Sequence, residues 1–191
     1  MTPRLVAVTD PRRDAAAHLS AYRVLADALG PALVVLVRLP GRDARDVLEL
    51  AAALVDAGHD VAVAERADVA RALGLRRLHL GDAGVSTADA RRWMGPSAWL
   101  SRACHDPDAP DRDADAVLVS PVFPSAGKGP PLGLSALGRA ARHATVLALG
   151  GVDATNARAC LDAGATGVAA IRACLDEPEA LARALVEAPR A

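Results

Sequence analysis

Eight short apolar runs, separated by turn residues and helical stretches, constrain the fold more than any other feature of the chain. They are LVAVT (5–9), ALVVLVR (32–38), VAVAE (61–65), RLHLG (77–81), SAWLSRA (97–103), AVLVSPVF (116–123), VLALGGV (146–152) and GVAAIRA (167–173). Between them the spacing predicts helices over 14–29, 43–57, 67–73, 86–94, 133–143, 154–163 and 177–188, each entered or left through Gly, Pro, Asp or Thr. Continuous apolar strands alternating with helices are buried on both faces and belong to a parallel sheet. Eight such units is the number at which the sheet closes, so the expected fold is α/β, a short (β/α)8 TIM barrel of about 24 residues per unit. It forms a single domain over 1–191. A flat, doubly wound sheet is the alternative. One connection departs from the pattern. HDPDAPDRDADA (105–116) holds two prolines and five aspartates and reads as a loop, because proline removes a helical hydrogen bond and clashes with the preceding turn.

Composition excludes several classes of function. A net charge of −1 gives no global attraction to nucleic acid or to an anionic membrane, and aromatics at 2% provide no stacking platform for bases. No apolar run approaches the ~20 residues of a membrane helix, and the N-terminal MTPRLVAVTD opens like a strand rather than a signal segment. Cys104, Cys160 and Cys174 have neither metal-ligand spacing nor a disulfide framework. A cytoplasmic protein with a small-molecule partner, and no nucleic acid or membrane partner, is expected. The Ala-rich helices leave a homodimer open.

In such a barrel the site lies at the C-terminal ends of the strands, with phosphate usually bound after strands seven and eight. Gly150 and Gly151 stand there, where glycine lets backbone N–H groups approach an anion; a tight strand-to-helix turn is the plain alternative. Arg172, one strand over, adds a fork suited to phosphate, or else a rim ion pair with Asp176 or Glu177. Lys128 is the only lysine, in a loop SAGKGPPLG (125–133) able to cover the rim. Its ammonium suits a diphosphate or a developing negative charge. Glu65 and Asp82 end neighbouring strands and can hold Mg²⁺ against a substrate diphosphate, unless Arg38 neutralises them. His105 is an acid/base candidate by residue type. His79 is expected beneath the rim and Cys104 in the core, with His18, His59 and His143 on helix surfaces or ends.

VAVTD at the first strand, HLG after the fourth, SPVFPSAGK at the sixth, ALGGV at the seventh and AGATGVAAI at the last follow one another along the chain. In that order and spacing they resemble the signatures of the thiamine phosphate synthase/TenI family over essentially the whole length. The resemblance implies a (β/α)8 barrel, a thiazole phosphate ligand and a place in thiamine biosynthesis. In the synthases a pyrimidine diphosphate loses pyrophosphate to a carbocation that the thiazole nitrogen captures, with Mg²⁺, Arg and Lys stabilising the departing group. Carried across, Arg38 matches the diphosphate arginine, Lys128 the loop lysine and Glu65 the strand-three Mg²⁺ aspartate. Gly150, Gly151, Ile171 and Arg172 fall on the thiazole-phosphate site, with Ser125 in the strand-six loop beside them, and His105 matches the strand-five histidine.

This sequence departs from the synthase pattern in several places. Its Gln-x-Arg-x-Lys is Leu36-Val37-Arg38-Leu39-Pro40, its Asn-Asp is Ala64-Glu65, and its second Mg²⁺ acid falls on Gly84, with Asp82 two positions away. The strand-five serine is Ala103 and the serine after the last strand is Arg172. A thinned diphosphate side beside a better-kept thiazole-phosphate side is similar to the TenI-like branch, whose members tautomerise a thiazole phosphate carboxylate. That branch's catalytic histidine falls on Pro121, which leaves His105 as the proton shuttle. The expected function is therefore a thiazole phosphate-binding barrel with TenI-like proton transfer and no cofactor. The alternatives are an Mg²⁺-dependent synthase joining hydroxymethylpyrimidine diphosphate to thiazole phosphate, and a non-catalytic thiazole phosphate-binding or regulatory protein.

Overall fold

Each of the apolar runs forms a strand, and the strands pair side by side in chain order until the last meets the first. In the computed structural model, which describes residues 2–187, they are β1 (Leu5–Val8), β2 (Leu33–Val37), β3 (Val61–Ala64), β4 (Arg77–Leu80), β5 (Trp99–Cys104), β6 (Ala116–Val119), β7 (Val146–Leu149) and β8 (Gly167–Ala170). Every pairing is parallel. Leu5 sits opposite Leu33 on one side and Val168 on the other, which closes the barrel and excludes the flat sheet. The helices are α1 (Ala15–Leu29), α2 (Ala44–Asp56), α3 (Ala67–Ala72), α4 (Thr87–Met94), α5 (Leu134–Ala141), α6 (Ala157–Asp162), α7 (Arg172–Asp176) and α8 (Pro178–Val186). The predicted last helix reaches residue 188, which lies outside the described residues. Among the described residues no helix is long and apolar enough to cross a membrane.

Strand alternation builds two cores. Leu5 and Ala7 face the helices, whereas Val6 and Val8 face the barrel axis with Val34, Leu36, Ala62, Ala116, Leu118, Leu147 and Ala169. Alanines on three strands keep the interior narrow. Trp99, at the N-terminal end of β5, packs against this inner cluster with Arg77 stacked 4.9 Å from its ring, and Asp60 accepts from Arg77 Nε at 2.8 Å. Helix starts follow from short polar residues. Asp14 accepts from Ala17 N, Asp43 from Arg45 N and Asp46 N, and Ser86 from Asp89 N, contacts each worth about 1 kcal/mol.

The segment 105–115 is a loop, as its prolines require. Arginines from three elements hold it against the barrel: Arg91 on α4 meets Asp115 at 3.0 Å, Arg102 on β5 meets Asp111 at 3.6 Å, and Arg139 on α5 meets Asp108 at 3.1 Å. The C-terminal ends of three expected strands need correction: 116–123 stops at Val119, 146–152 at Leu149 and 167–173 at Ala170. The run 167–173 reads as a single strand, but β8 stops at Ala170 and Arg172 opens α7. The ladder ends there because β8 is paired to β1 only as far as Ala7 and to β7 only as far as Leu149.

Candidate functional site

A cavity of about 540 Å³ opens where the C-terminal ends of β1, β2, β7 and β8 meet the loop after β6. Arg38, Ser125, Gly150, Gly151, Ile171 and Arg172 all line it, whereas Lys128, the other residue expected to meet a diphosphate, does not. Gly150 and Gly151 have φ of 95° and 68°, in the left-handed region. A Cβ on Gly150 would lie 2.7 Å from Pro121 Cα, and one on Gly151 2.7 Å from Pro124 O. Glycine is required here because the chain after β6 runs directly against the tip of β7. Val122 N donates to Leu149 O and Phe123 N to Gly150 O, both at 2.9 Å, which carries Ser125 to the cavity wall. Asn156 Nδ2 donates to Gly151 O at 2.9 Å and fixes that peptide's orientation. On the far wall, Ile171 is the N-cap of α7 and gives it no side-chain cap, which leaves first-turn N–H groups to be met by something other than that side chain.

Two further wall residues lie in the turn after β1. Thr9 Oγ1 donates to Arg38 O at 3.1 Å and accepts from Arg38 N at 2.9 Å, tying β1 to β2 beneath the Arg38 side chain. Asp10, also on the wall, accepts from Arg12 Nε at 2.9 Å, Arg12 Nη2 at 2.6 Å and Arg12 N at 3.0 Å. The Arg12 guanidinium holds the Asp10 carboxyl down at about 2. His18, expected on a helix surface, is instead fully buried. Its Nδ1 meets the Asp14 carbonyl at 2.7 Å, so Nδ1 carries the proton and Nε2 accepts from Asp10 N at 3.0 Å. Burial lowers its pKa below the ordinary imidazole value, in keeping with this neutral tautomer. Sequence reasoning missed Asp10, Arg12 and this use of His18. The available signal was an aspartate at a strand end with arginine two positions later.

The remaining candidates occupy the other side of the rim, and none of them lines the cavity. Glu65 has a left-handed backbone, φ 60°, and its Oε1 accepts from Gly81 N at 3.3 Å. The carboxylate fills space that a side chain at position 84 would need, since a Cβ there would lie 2.7 Å from Oε1. It therefore rests on the β4–α4 loop, against Gly81 and Gly84. Among the described residues no group of three or more His, Cys, Asp or Glu is disposed to hold a metal. Glu65 and Asp82 are both exposed carboxylates, the ligand type that Mg²⁺ takes one or two of before completing its shell with water and substrate phosphate. No ion pair joins Arg38 to either acid. Arg102, unnoticed in the sequence, braces this loop by donating to Val85 O at 2.7 Å and Asp82 O at 3.0 Å.

His105 Nδ1 meets the Ser120 carbonyl at 2.7 Å, so it donates there and leaves Nε2 as the basic nitrogen of an exposed ring. Lys128 is exposed at the tip of a flap whose base is closed by Leu132 N to Pro121 O at 2.8 Å and Gly133 N to Val122 O at 3.1 Å. His79 is buried, with its Nδ1 3.0 Å from Ser101 Oγ. Burial first, then the charges of Arg38 and Arg102, lower its pKa to about 4, so it is neutral at ordinary pH. Burial pushes the Cys104 thiol up to about 11, which leaves no thiolate nucleophile there. Arg172 has no ion pair with Asp176, which Arg13 engages at 2.6 Å instead.

The family model described as thiamine monophosphate synthase matches residues 5–174. The chain belongs to that family. It is 35% identical over 196 residues to the thiamine-phosphate synthase of Roseiflexus sp. (strain RS-1), covering 95% of this chain and 83% of that protein. It is 34% identical over 206 residues to the thiamine-phosphate synthase of Mycobacterium bovis, covering 95% and 92% respectively. Among solved structures it is similar to thiamine phosphate pyrophosphorylase from Pyrococcus furiosus, with a TM-score of 0.78 at 22% identity over 97% of this chain and 96% of that one. It is also similar to 3-hexulose-6-phosphate synthase, with a TM-score of 0.72 at 18% identity over 98% and 99%. These two structural likenesses bear on the fold alone. Membership of the thiamine monophosphate synthase family makes this a barrel of thiamine biosynthesis from an enzyme family acting on small phosphorylated molecules.

Proposed function

We propose that the protein is a thiamine-phosphate synthase that joins hydroxymethylpyrimidine diphosphate to thiazole phosphate with Mg²⁺. The observation that carries this reading is the near full-length likeness, at 35% and 34% identity, to relatives bearing that name. It reverses the preference for a TenI-like tautomerase that the thinned diphosphate side of the sequence suggested. The cavity supports it as well, because its glycine-lined wall and uncapped helix start suit one phosphate group.

In the proposed reaction the bond from the pyrimidine methylene carbon to the diphosphate oxygen breaks, and its electron pair leaves with pyrophosphate. The thiazole nitrogen lone pair then forms the new C–N bond. No proton transfer is needed, so the protein's work is orientation and charge. Gly150, Gly151, Ser125, Ile171 and Arg172 receive the thiazole phosphate. Arg38 and, from the flap, Lys128 offset charge growing on the leaving diphosphate. Glu65 and Asp82 would hold Mg²⁺, which when bound neutralises part of that same charge. His79 stays neutral beneath the rim and adds no competing cation. Proton transfer through His105 has no place in this reaction, and the imidazole is held through Nδ1 by the Ser120 carbonyl. The deciding experiment supplies both substrates and Mg²⁺ and measures thiamine phosphate by its fluorescent oxidation product. Mg²⁺-dependent product supports the synthase. No product, with thiazole phosphate still bound, would return the tautomerase reading.

A further inference from the structure

We infer that Arg12 binds the phosphate of the ligand in the cavity, and that Asp10 is the positioning residue that aims it. The inference rests on the reading of this cavity as a phosphate site and adds to it a residue that the family resemblance does not supply.

The pair is built as a fixed arm rather than a loose surface ion pair. The Asp10 side chain is only 5% exposed, whereas that of Arg12 is 76% exposed and lines the cavity. Asp10 is itself held from behind, through the bond from its N–H to His18 Nε2 and from His18 Nδ1–H to the Asp14 carbonyl. The contacts to Asp10 engage Nε and Nη2 of Arg12. A guanidinium has five N–H donors, so both hydrogens on Nη1 and one on Nη2 remain for a ligand. Fixing the fork in advance reduces the side-chain entropy lost on binding. Arg12 and Arg172 also line an adjoining recess of about 410 Å³, so the two guanidinium groups border the same mouth from the β1 and β8 sides. Arg13 Nη2 meets Asp176 at 2.6 Å and ties those two sides together.

Charge makes the arm necessary. The cavity wall carries Asp10, Asp153, Asp176 and Glu177 against Arg12, Arg38 and Arg172. Covering these acids eases the entry of a phosphate dianion, and three of the four are engaged by hydrogen-bond donors. Asp176 is met by Arg13, and Asp153 accepts from Thr155 N and Asn156 N. Asp10 is covered by Arg12, through its Nε, its Nη2 and its backbone N–H. Arg12 therefore has two tasks, masking Asp10 and donating to phosphate, and the two are separable.

The test is calorimetric titration of the full-length protein with thiazole phosphate and, separately, with inorganic phosphate. The variants are Arg12→Met, Arg12→Lys, Asp10→Asn and the double variant Asp10→Asn/Arg12→Met. Losing a charge-assisted donor should weaken binding of both probes by about 10- to 100-fold in Arg12→Met. Asp10→Asn should fall between wild type and Arg12→Met, because the arginine remains but is no longer aimed. In turnover the KM for thiazole phosphate should rise while that for the pyrimidine diphosphate stays within about twofold, a split that general destabilisation would not give. Affinity within twofold of wild type in Arg12→Met overturns the inference. Wild-type affinity in the double variant also overturns it, since Arg12 would then only mask Asp10. Arg12→Lys keeps a cation near Asp10 and serves if the methionine variant does not fold. Should the wild type bind inorganic phosphate as well as it binds thiazole phosphate, the synthase reading fails. The Arg12 inference is then decided by the inorganic phosphate ratios.

Discussion

Replacing Gly151 with alanine tests the packing that brings the loop after β6 onto the tip of β7. The new Cβ would lie 2.7 Å from Pro124 O, 2.8 Å from Phe123 Cβ and 3.2 Å from Phe123 C. Two of those atoms are backbone, so they cannot rotate away. A left-handed φ of 68° costs an alanine about 1 kcal/mol, and forcing a methyl into a filled space adds roughly 1–3 kcal/mol. The sum, about 2–4 kcal/mol, corresponds to a melting temperature lower by roughly 5–15 °C in a domain of this size. Gly74 supplies the control. Its φ is 65°, and its added Cβ would meet nothing within 4 Å, so Gly74→Ala carries the dihedral cost without the collision. Urea unfolding of both variants separates the two contributions at matched backbone geometry. Gly151→Ala should be less stable than Gly74→Ala by at least 1 kcal/mol. It should also bind thiazole phosphate more weakly, because Ser125 moves with Pro124. Equal stabilities for the two variants would refute the claim that the glycine is there for close approach.

Three other outcomes follow from the same geometry. His79 titrates near 4 when folded and about 6.5 when unfolded, so the unfolded chain binds more protons between those values and stability falls as pH drops through that window. The loss is about 3 kcal/mol by pH 4, read from urea midpoints, and His79→Gln should flatten the slope. Lys128→Ala should lower synthase turnover by about 10²–10³ while thiazole phosphate affinity stays within about twofold, because the ammonium acts on the leaving diphosphate. His105→Asn should leave synthase turnover within about threefold, and a fall of 10² or more would make this imidazole a proton carrier.

The barrel was legible because most of its strands are buried on both faces and read as continuous apolar runs, RLHL and WLSRAC being the two interrupted by polar residues. The phosphate wall was legible for a related reason. It is made largely of backbone, and the glycines that permit such a wall show in any sequence. The Asp10–Arg12–His18 arm was not. Its parts are an exposed arginine, a strand-end aspartate and a histidine eight residues on, and only the turn after β1 folds them onto one another. Arg102 escaped notice similarly, since its guanidinium serves carbonyls of a loop that starts twenty residues earlier. The overrun of β8 into α7 has a different cause. Ile171 and Ala173 are apolar enough to extend the strand pattern, but the neighbouring strands have already ended.

The two halves of the rim differ in what they are made of, and this bears on how a synthase would run on them. The wall proposed for phosphate combines the glycine turn after β7 with Arg12, Arg38, Ser125 and Arg172. Of the positions matching the polar synthase pattern, Leu36, Ala64, Gly84 and Ala103 do not line the cavity, whereas Pro40 and the retained Arg38 do. Glu65 leans into the space left by the missing side chain at Gly84, so one substitution accommodates the other. With neutral residues around them, Arg38, Lys128, Glu65 and Asp82 are the charges left to act on a diphosphate. Each then carries a larger share of the stabilisation than it would in a fuller set, and charges acting together on one leaving group do not contribute additively. Removing any two of them together should therefore cost little more than removing the more damaging one alone. Additive losses would mean that each charge acts on the leaving group independently of the others.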